Sequence, residues 1–482
     1  MKRTNKGAQP QQNGQPPAEF VERRPVAEGN PEQATATGTQ GPQAALSALD
    51  RIREAARRDA TQRFTNLLHH VKVDLLRQAY GALKHDAAVG VDEVTWKAYG
   101  EGLEERLIDL QDRIQGGRYR AKPSKREWIP KPDGKQRPIG IASLEDKIVQ
   151  KALVLVLQQI YEEDFLGFSY GFRPERSQHQ ALDALYVAIT QRKVSWVLDA
   201  DIRGFFDTID HTWLMKFVEH RVADPRVLRL IRKFLRAGVS EDGQWSKTEV
   251  GTPQGAVISP LLANIYLHYV LDLWVHKWRS QSARGEVYIV RYADDFVLGF
   301  QYPSDARLFR IELHERLQKF GLELHQEKTR LIEFGRFAAA NRKKRGEGKP
   351  ETFDFLGFTH YCAKRRSDGG FTVRRKTIAK KLRAKHREVR QKLRRKRHLP
   401  IKMQGQWLRS VIRGHVNYYG VPGNFNALNA FRREAIKSWL NALRRRSQKG
   451  QNLTWSRFER WVEKWIPKVR IVHPYPNQRF CV

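Results

Sequence analysis

The chain has 482 residues, and its 88 Lys and Arg against 52 Asp and Glu give a formal charge of +36. Such a charge indicates a polyanionic partner, most commonly nucleic acid, while 12 Trp and 23 Phe argue against an unstructured basic protein. No apolar run reaches the ~20 residues that span a bilayer. Two distant cysteines, Cys362 and Cys481, exclude a disulfide framework and a paired-cysteine zinc site. We therefore expect a cytoplasmic protein without a membrane partner.

The N-terminal part divides into a polar tail and a helical segment. Residues 1–45 are rich in Gln, Pro, Gly, Ala and Thr, and they carry too few large apolar side chains to fold. They are predicted to be disordered. From residue 46 to residue 122 the apolar residues, among them Leu67, Val71 and Leu75, recur at helical spacing and predict helices.

A basic hairpin is predicted next, over residues 126–140. A strand, a Pro-Asp-Gly-Lys turn and a second strand carry basic residues on both arms, including Lys131 and Arg137. Such a hairpin can fold over a triphosphate. A solvated basic hairpin is the alternative.

A predicted helix, residues 144–161, leads to a loop that is broken by glycine and proline, residues 168–177. The loop carries Arg173 and Arg176. These arginines either contact nucleic acid or form salt bridges within the loop, and the sequence does not separate the two.

Acids end a short buried strand that begins at Trp196. Asp199 and Asp201 follow its apolar residues with a period of two, which places them on one face, and Arg203-Gly204 starts a turn.

A second pair of acids, Asp294 and Asp295, occupies the tip of a predicted hairpin, residues 287–300. Two adjacent like charges in apolar surroundings are costly unless a cation compensates them. If the strand that ends at Asp201 lies beside this hairpin, Asp201 and Asp294 can hold two Mg²⁺ ions roughly 3.5–4 Å apart, as in phosphoryl transfer. An Asp-Asp turn that merely closes the hairpin is the alternative.

The C-terminal part is cationic and helical. Between Arg374 and Arg397, 14 residues are Lys or Arg, while apolar residues such as Leu382 and Val389 keep helical spacing. The pattern predicts an amphipathic helix that packs on its neighbours and faces phosphate. Further helices are predicted at 407–419 and 427–446, and a last helix would bury Trp455, Phe458, Trp461 and Trp465.

Taken together, these motifs resemble those of bacterial reverse transcriptases encoded by group II introns, also called intron maturases. Asp201 matches the first catalytic motif, Gly251-Thr-Pro-Gln-Gly255 the second, and Tyr292-Ala-Asp-Asp295 the third. The resemblance covers roughly residues 65–480, with the motifs in the order of the family.

The resemblance implies an RNA-directed DNA polymerase of α+β class, with right-hand fingers and palm followed by an α-helical thumb. Asp201, Asp294 and Asp295 would be catalytic. Asp201, the backbone carbonyl of Ile202 and Asp294 would be the ligands of two Mg²⁺ ions.

Five residues would contact the incoming dNTP. Phe206 would exclude the ribose 2′-hydroxyl, although a place in the core is the alternative. Lys328 would lie near the leaving pyrophosphate, although a surface lysine is nearly as compatible with the sequence. The predicted set is Lys131, Arg137, Phe206, Gln254 and Lys328.

The expected partners are the intron RNA, an RNA template with its DNA primer, target DNA and dNTPs, with the protein at the nucleoid when it acts on target DNA. Eight basic residues would bind nucleic acid: Arg173, Arg176, Lys380, Lys381, Arg383, Arg387, Arg394 and Arg413.

Five regions are expected: the tail, an N-terminal extension, fingers and palm, a thumb or maturase domain, and a short nucleic-acid-binding segment without an endonuclease. Their bounds are 1–45, 46–122, 123–370, 371–450 and 451–482. Two other functions stay open, namely a domesticated reverse transcriptase in phage defence or repair and an RNA-binding splicing factor without polymerase activity.

Overall fold

A computed structural model describes residues 40–130, 136–241, 244–246, 250–252 and 255–479. Two expected nucleotide-binding residues, Lys131 and Gln254, lie outside the described residues, as does most of the expected tail. Residues 40–45, expected in the tail, instead belong to helix α1 (Gln40–Arg58).

The N-terminal helices pack on a long central helix, α5 (Leu144–Asp164). Helix α5 is apolar around most of its circumference and is therefore buried on nearly all sides. Arg53 of α1 contacts Glu163 of α5. The other elements of this region are a 3-10 turn (Leu68–His70), α2 (Val73–Gly81), α3 (Trp96–Gly100) and α4 (Leu103–Gln115).

The predicted basic hairpin is confirmed as two antiparallel strands, β1 (Ser124–Pro130) and β2 (Gln136–Ile141), in which Ile129 lies opposite Arg137. They belong to a small sheet of order β2-β1-β4-β5. Its remaining strands are β4 (Val239–Glu241) and β5 (Gln244–Ser246).

A second sheet, of order β6-β7-β3-β8, is antiparallel and carries the acids. Its strands are β3 (Trp196–Asp201), β6 (Val287–Tyr292), β7 (Asp295–Phe300) and β8 (Arg330–Glu333). Alternate residues enter two different hydrophobic cores: Leu198 lies in one and Val197 in the other. The sheet is therefore buried on both faces, and its strands are held firmly in place.

Helices surround this sheet, with α6 and α12 in contact with its strands. In chain order they are α6 (Gln178–Gln191), α7 (Phe205–Thr208), α8 (His211–Glu219), α9 (Pro225–Arg236), α10 (Ser259–Leu267), α11 (Leu273–Gln281), α12 (Pro303–Gln318) and α13 (Ala338–Lys344). A π-helical segment, His268–Asp272, joins α10 to α11.

A third sheet, of order β11-β10-β9, corrects the expectation for the cationic run. Its strands are β9 (Phe353–Phe355), β10 (Phe358–Lys364) and β11 (Phe371–Thr377). Residues 374–377 are therefore strand and not helix, and the domain boundary expected at 370/371 would separate two paired strands. In β11 the buried Arg375 donates a hydrogen bond to Asp183, so this arginine of the run does not face solvent.

The C-terminal helices form a core of their own, which includes Val389, Leu393, Trp439 and Phe458. Trp455, expected in this core, is instead 50% exposed. The helices are α14 (Ala379–Arg395), α15 (Ile401–Tyr419), α16 (Phe425–Arg444), α17 (Gln448–Gln451), α18 (Trp455–Trp465) and α19 (Pro476–Arg479). Two mixed regions followed by a helical one confirm the α+β class. In the ranges that the structure describes, no helix has both the length and the apolar character that a membrane crossing requires.

Candidate active site

The hairpin β6–β7 turns at Ala293-Asp294, because Tyr292 pairs with Asp295. Ala293 has a positive φ of 58°, a conformation that costs an L-residue about 1–2 kcal/mol. A strained turn of this kind persists only where surrounding contacts hold it. Asp294 and Asp295 therefore project from a tip whose backbone is firmly fixed.

Strand β3 lies beside β7, with Asp201 opposite Asp295. The acids expected to act together are thus brought to one end of one sheet, although about ninety residues separate them in the sequence. Asp199 and Asp201 line a cleft of about 540 Å³ together with Asp295. The sequence did not single out Asp354, which reaches the same cleft from β9.

The cleft carries an excess of negative charge. Removal from bulk water, together with the charges of Asp294 and Asp201, raises the pKa of Asp295 to about 6 even though its side chain is exposed. Burial is the first cause that raises the pKa of Asp294, and Asp201 adds to it. Burial and three nearby acids raise the pKa of Asp199 to about 7, against the opposing charge of Arg330. These carboxyl groups lack a full complement of positive charge.

Lys328 supplies part of that positive charge. Its Nζ donates to Oδ2 of Asp201 at 2.6 Å. The turn that carries it is tied to the same strand, since the backbone N–H of His325 donates to the carbonyl of Asp201 at 2.8 Å. Lys328 therefore belongs to the acidic cleft and is not an isolated surface lysine.

The carboxylates fit Mg²⁺ as hard oxygen donors with uncompensated charge. Among the described residues, no group of three or more His, Cys, Asp or Glu is close enough to hold a metal by protein ligands alone. Mg²⁺ does not require such a cage, since it commonly keeps waters and substrate phosphates as ligands beside one or two carboxylates. Ile202, whose carbonyl was expected to contribute, is buried directly after Asp201.

Phe206 lies on a one-turn helix, α7. Its neighbour Phe205 is buried while Phe206 is only partly buried, so one ring points inward and the other reaches the edge of the core. The backbone N–H of Thr252 donates to the carbonyl of Phe206 at 2.8 Å. Gly251 has φ +86°, and a Cβ there would lie 2.9 Å from the same carbonyl. Gly251 and Thr252 of the second motif therefore pack directly on the backbone of Phe206.

The positive charge of Arg137, on β2, lowers the pKa of Asp294, while burial of Asp294 raises it by more. The contact of Arg137 with a triphosphate stays a prediction.

The structure corrects the expectation for Arg173. Its side chain is buried, forms an ion pair with Glu162 at 3.0 Å and donates to the carbonyls of Leu166 and Ser169. Arg173 therefore joins the loop to Glu162 of α5 by a salt bridge and is not available to nucleic acid. Arg176 is half-buried and donates to the carbonyl of Gly167, beneath the ring of Tyr170.

The other predicted basic residues are exposed on the C-terminal helices. Lys381, in the first turn of α14, lines the acidic cleft. Arg394, in its last turn, lines a second cleft of about 650 Å³, which arginines of α14 and the loop after it form with Arg445. The exposed set is Lys380, Lys381, Arg383, Arg387, Arg394 and Arg413.

Comparisons with known proteins agree with this geometry. Residues 129–360 match the family described as "Reverse transcriptase (RNA-dependent DNA polymerase)". Protein YkfC of Escherichia coli is 37% identical over 238 residues, which cover 43% of this chain and 62% of that protein. The group II intron-encoded protein LtrA of Lactococcus lactis is 27% identical in an alignment 474 residues long. The alignment includes 80% of this chain and 75% of that protein. The chain thus spans less than two thirds of the first relative and three quarters of the second.

Proposed function

We propose that the chain is a reverse transcriptase of the kind encoded by group II introns, which copies RNA into DNA and also assists the splicing of an intron RNA. The observation that carries the first activity is the pairing of Asp201 with Asp295, the neighbour of Asp294, at one end of a sheet. Asp201 and Asp295 line an acidic cleft that Lys381 borders. The second activity rests on the cationic surface of the C-terminal helices.

In the polymerase reaction, the three acids act as one unit. Asp201, the carbonyl of Ile202 and Asp294 would hold two Mg²⁺ ions, which when bound lower the pKa of the primer 3′-hydroxyl and stabilise the leaving pyrophosphate. Asp295 supports the pair, because its negative charge adds to the attraction for cations. The raised pKa values of Asp294 and Asp295 fit this role, since a bound cation favours the ionised form.

The other residues bind and orient the dNTP. Arg137 and Lys131 bind its phosphates, Arg137 by a two-pronged hydrogen bond, and Gln254 contacts the nucleotide or the template. The ring of Phe206 excludes the ribose 2′-hydroxyl in this proposal. Lys328 holds a proton on Nζ near the departing pyrophosphate.

RNA binding uses the exposed cations of α14 and α15. Phosphate is bound there by charge and not by base sequence, which suits both a folded intron and a template-primer duplex.

We assign the N-terminal helices to an extension, the mixed helix-and-sheet region to fingers and palm, and the C-terminal helices to a thumb. The same surfaces would support retromobility by target-primed synthesis in the bacterial cytoplasm.

Primer extension tests the polymerase activity. The purified chain with poly(rA), oligo(dT), dTTP and Mg²⁺ is expected to lengthen the primer, and removal of Mg²⁺ with EDTA is expected to stop extension. RNA binding without extension would contradict the proposal and favour a splicing factor without polymerase activity. Intron RNA sequence around the gene would favour splicing over a role in defence or repair.

Salt dependence tests the cationic surface. Replacing Arg387 and Arg394 with glutamine is expected to weaken intron RNA binding about tenfold and to reduce the slope of log K against log salt by about 1.4–1.8, or about 0.7–0.9 per phosphate contact. Arg307→Gln with Arg310→Gln on α12 removes the same charge from exposed positions elsewhere. An equal change in slope for both pairs would show that net charge alone binds the RNA.

A further inference from the structure

Arg291 is a fully buried cation in an otherwise apolar strand. It lies in β6, one residue before Tyr292, with no exposed side-chain surface. A buried guanidinium is tolerated only when partners satisfy its charge and its N–H groups. Those partners are unusually complete here.

All five side-chain N–H groups of Arg291 have an acceptor. Nε and Nη2 donate to the two carboxylate oxygens of Asp272, at 2.7 and 2.5 Å. Nη2 also donates to Oγ of Ser169 at 2.7 Å. Nη1 donates to Oδ1 of Asn264 and to the carbonyl of Ala293, both at 3.0 Å.

The bond to Ala293 is the one that reaches the acids. That carbonyl belongs to the planar peptide unit that joins Ala293 to Asp294, so holding the oxygen fixes the plane from which Asp294 departs. Ala293 is the residue in the left-handed conformation, which does not persist without support. Arg291 therefore holds the strained turn from inside the protein.

The partners come from separate elements. Ser169 lies in the loop before α6, Asn264 lies on α10, and Asp272 ends the π-helical segment. A π-helical turn contains an extra residue, so it changes the direction in which the following side chains point. The amide of Asn264 also donates to the carbonyl of Gly171, and a Cβ on Gly171 would collide with the backbone nitrogen of Ala293. The loop that carries Ser169, helix α10 and the tip of the β6–β7 hairpin are thus all bound to the guanidinium of Arg291.

We propose that Arg291 is a positioning residue for DNA synthesis: its paired, five-donor side chain fixes the peptide that precedes Asp294 and thereby the direction of that carboxylate. The proposal rests on the proposed polymerase activity. Arg291 touches neither substrate nor metal and acts only through the turn. A buried Arg–Asp pair is weak evidence for a role in stability alone, because apolar pairs of similar volume often replace such pairs without loss.

The first test uses Arg291→Met together with Asp272→Leu. This change removes both buried charges and leaves no unpaired carboxylate, so the unfolding temperature is expected to stay within about 5 °C of wild type. The maximal rate of single-nucleotide addition is expected to fall about 10- to 100-fold, because the carboxylate of Asp294 is displaced from its position. The KM for dNTP and the affinity for RNA are expected to change less than about threefold.

A second variant keeps the test decisive if the double variant does not fold. Arg291→Lys retains a positive charge beside Asp272, but a single ammonium cannot also reach the Ala293 carbonyl as a planar fork does. It is expected to fold and to lose about tenfold or more in maximal rate. A wild-type rate in either folded variant would overturn the proposal, as would parallel losses of rate, RNA affinity and unfolding temperature.

The matched control is Arg221→Met with Asp164→Leu, a buried Arg–Asp pair at 3.1 Å that joins α5 to the end of α8. Its maximal rate is expected to equal that of wild type. A fall as large as that of the Arg291 pair would show that loss of any buried ion pair slows synthesis, and would overturn the proposal. If wild-type protein itself fails to extend a primer, the polymerase assignment fails, which is a separate result.

Discussion

Replacing Asp294 with alanine is expected to reduce DNA synthesis about 10³-fold or more while leaving RNA affinity within about twofold of wild type. The rate falls because Asp294 supplies a carboxylate to the proposed Mg²⁺ pair, whereas RNA is held by cations on other elements. Primer extension and filter binding on the same preparation measure the two quantities. The unfolding temperature is not expected to fall, since burial raises the pKa of Asp294 and its ionised form is a cost to the folded state.

The control for this variant is Asp109→Ala, which removes an exposed carboxylate that pairs with Arg113 on α4. It is expected to retain wild-type synthesis. Equal loss of synthesis and RNA binding in Asp294→Ala would contradict the division of the two activities between the acidic cleft and the cationic helices.

Replacing Phe206 with valine is expected to raise the incorporation of ribonucleotides relative to deoxyribonucleotides about 5- to 150-fold, since crowding of a hydroxyl against a packed ring costs about 1–3 kcal/mol. The ratio of kcat/KM for UTP and dTTP on the same template measures this change. The kcat/KM for dTTP is expected to change little, because the deoxyribose does not need the space that the smaller side chain leaves.

Two control substitutions locate the effect. Phe337→Val, at a 58% exposed position before α13, is expected to leave the ratio unchanged. Phe205→Leu, in the core beside Phe206, is expected to lower the unfolding temperature without changing the ratio. An unchanged ratio in Phe206→Val would exclude steric discrimination by this ring.

Sequence patterns predicted the strands around the acids because the local signals were strong. The apolar runs before Asp201 and on both sides of Asp294 have strand composition, and the structure pairs them as neighbours. Charge alone made the meeting of the two segments a condition for holding two Mg²⁺ ions, and the family resemblance implied that they meet; the structure supplies the pairing. The hydrogen bond between Asp201 and Lys328 could not be predicted from the sequence, because the two residues are 127 positions apart and only the fold brings them together.

Other features were not accessible from local pattern. Arg173 resembled a phosphate ligand because loops are usually exposed, and its burial depends on Glu162 in a helix that the loop packs against. The run from Arg374 was predicted as helix because its apolar residues, such as Leu382 and Val389, keep helical spacing, yet Arg375 is buried in a strand. Tertiary contacts decided both cases.

The Arg291 network was missed, although the sequence holds a signal for it. A charge inside an apolar strand and another, Asp272, inside an apolar helix each predict a buried partner. Neither position shows which partner it takes. A search for such isolated charges of opposite sign would have identified the pair.

The length of helix α14 sets a distance that the nucleic acid must match. Lys381 near its start borders the catalytic cleft and Arg395 at its end borders the arginine cleft, 14 residues later and so on nearly the same side of the helix. At ~1.5 Å per residue they are about 21 Å apart, which corresponds to about six phosphates of a strand spaced ~3.4 Å. A primer hybrid shorter than this would reach only one of the two cations, so we expect binding along α14 to strengthen once the paired stretch exceeds about six base pairs.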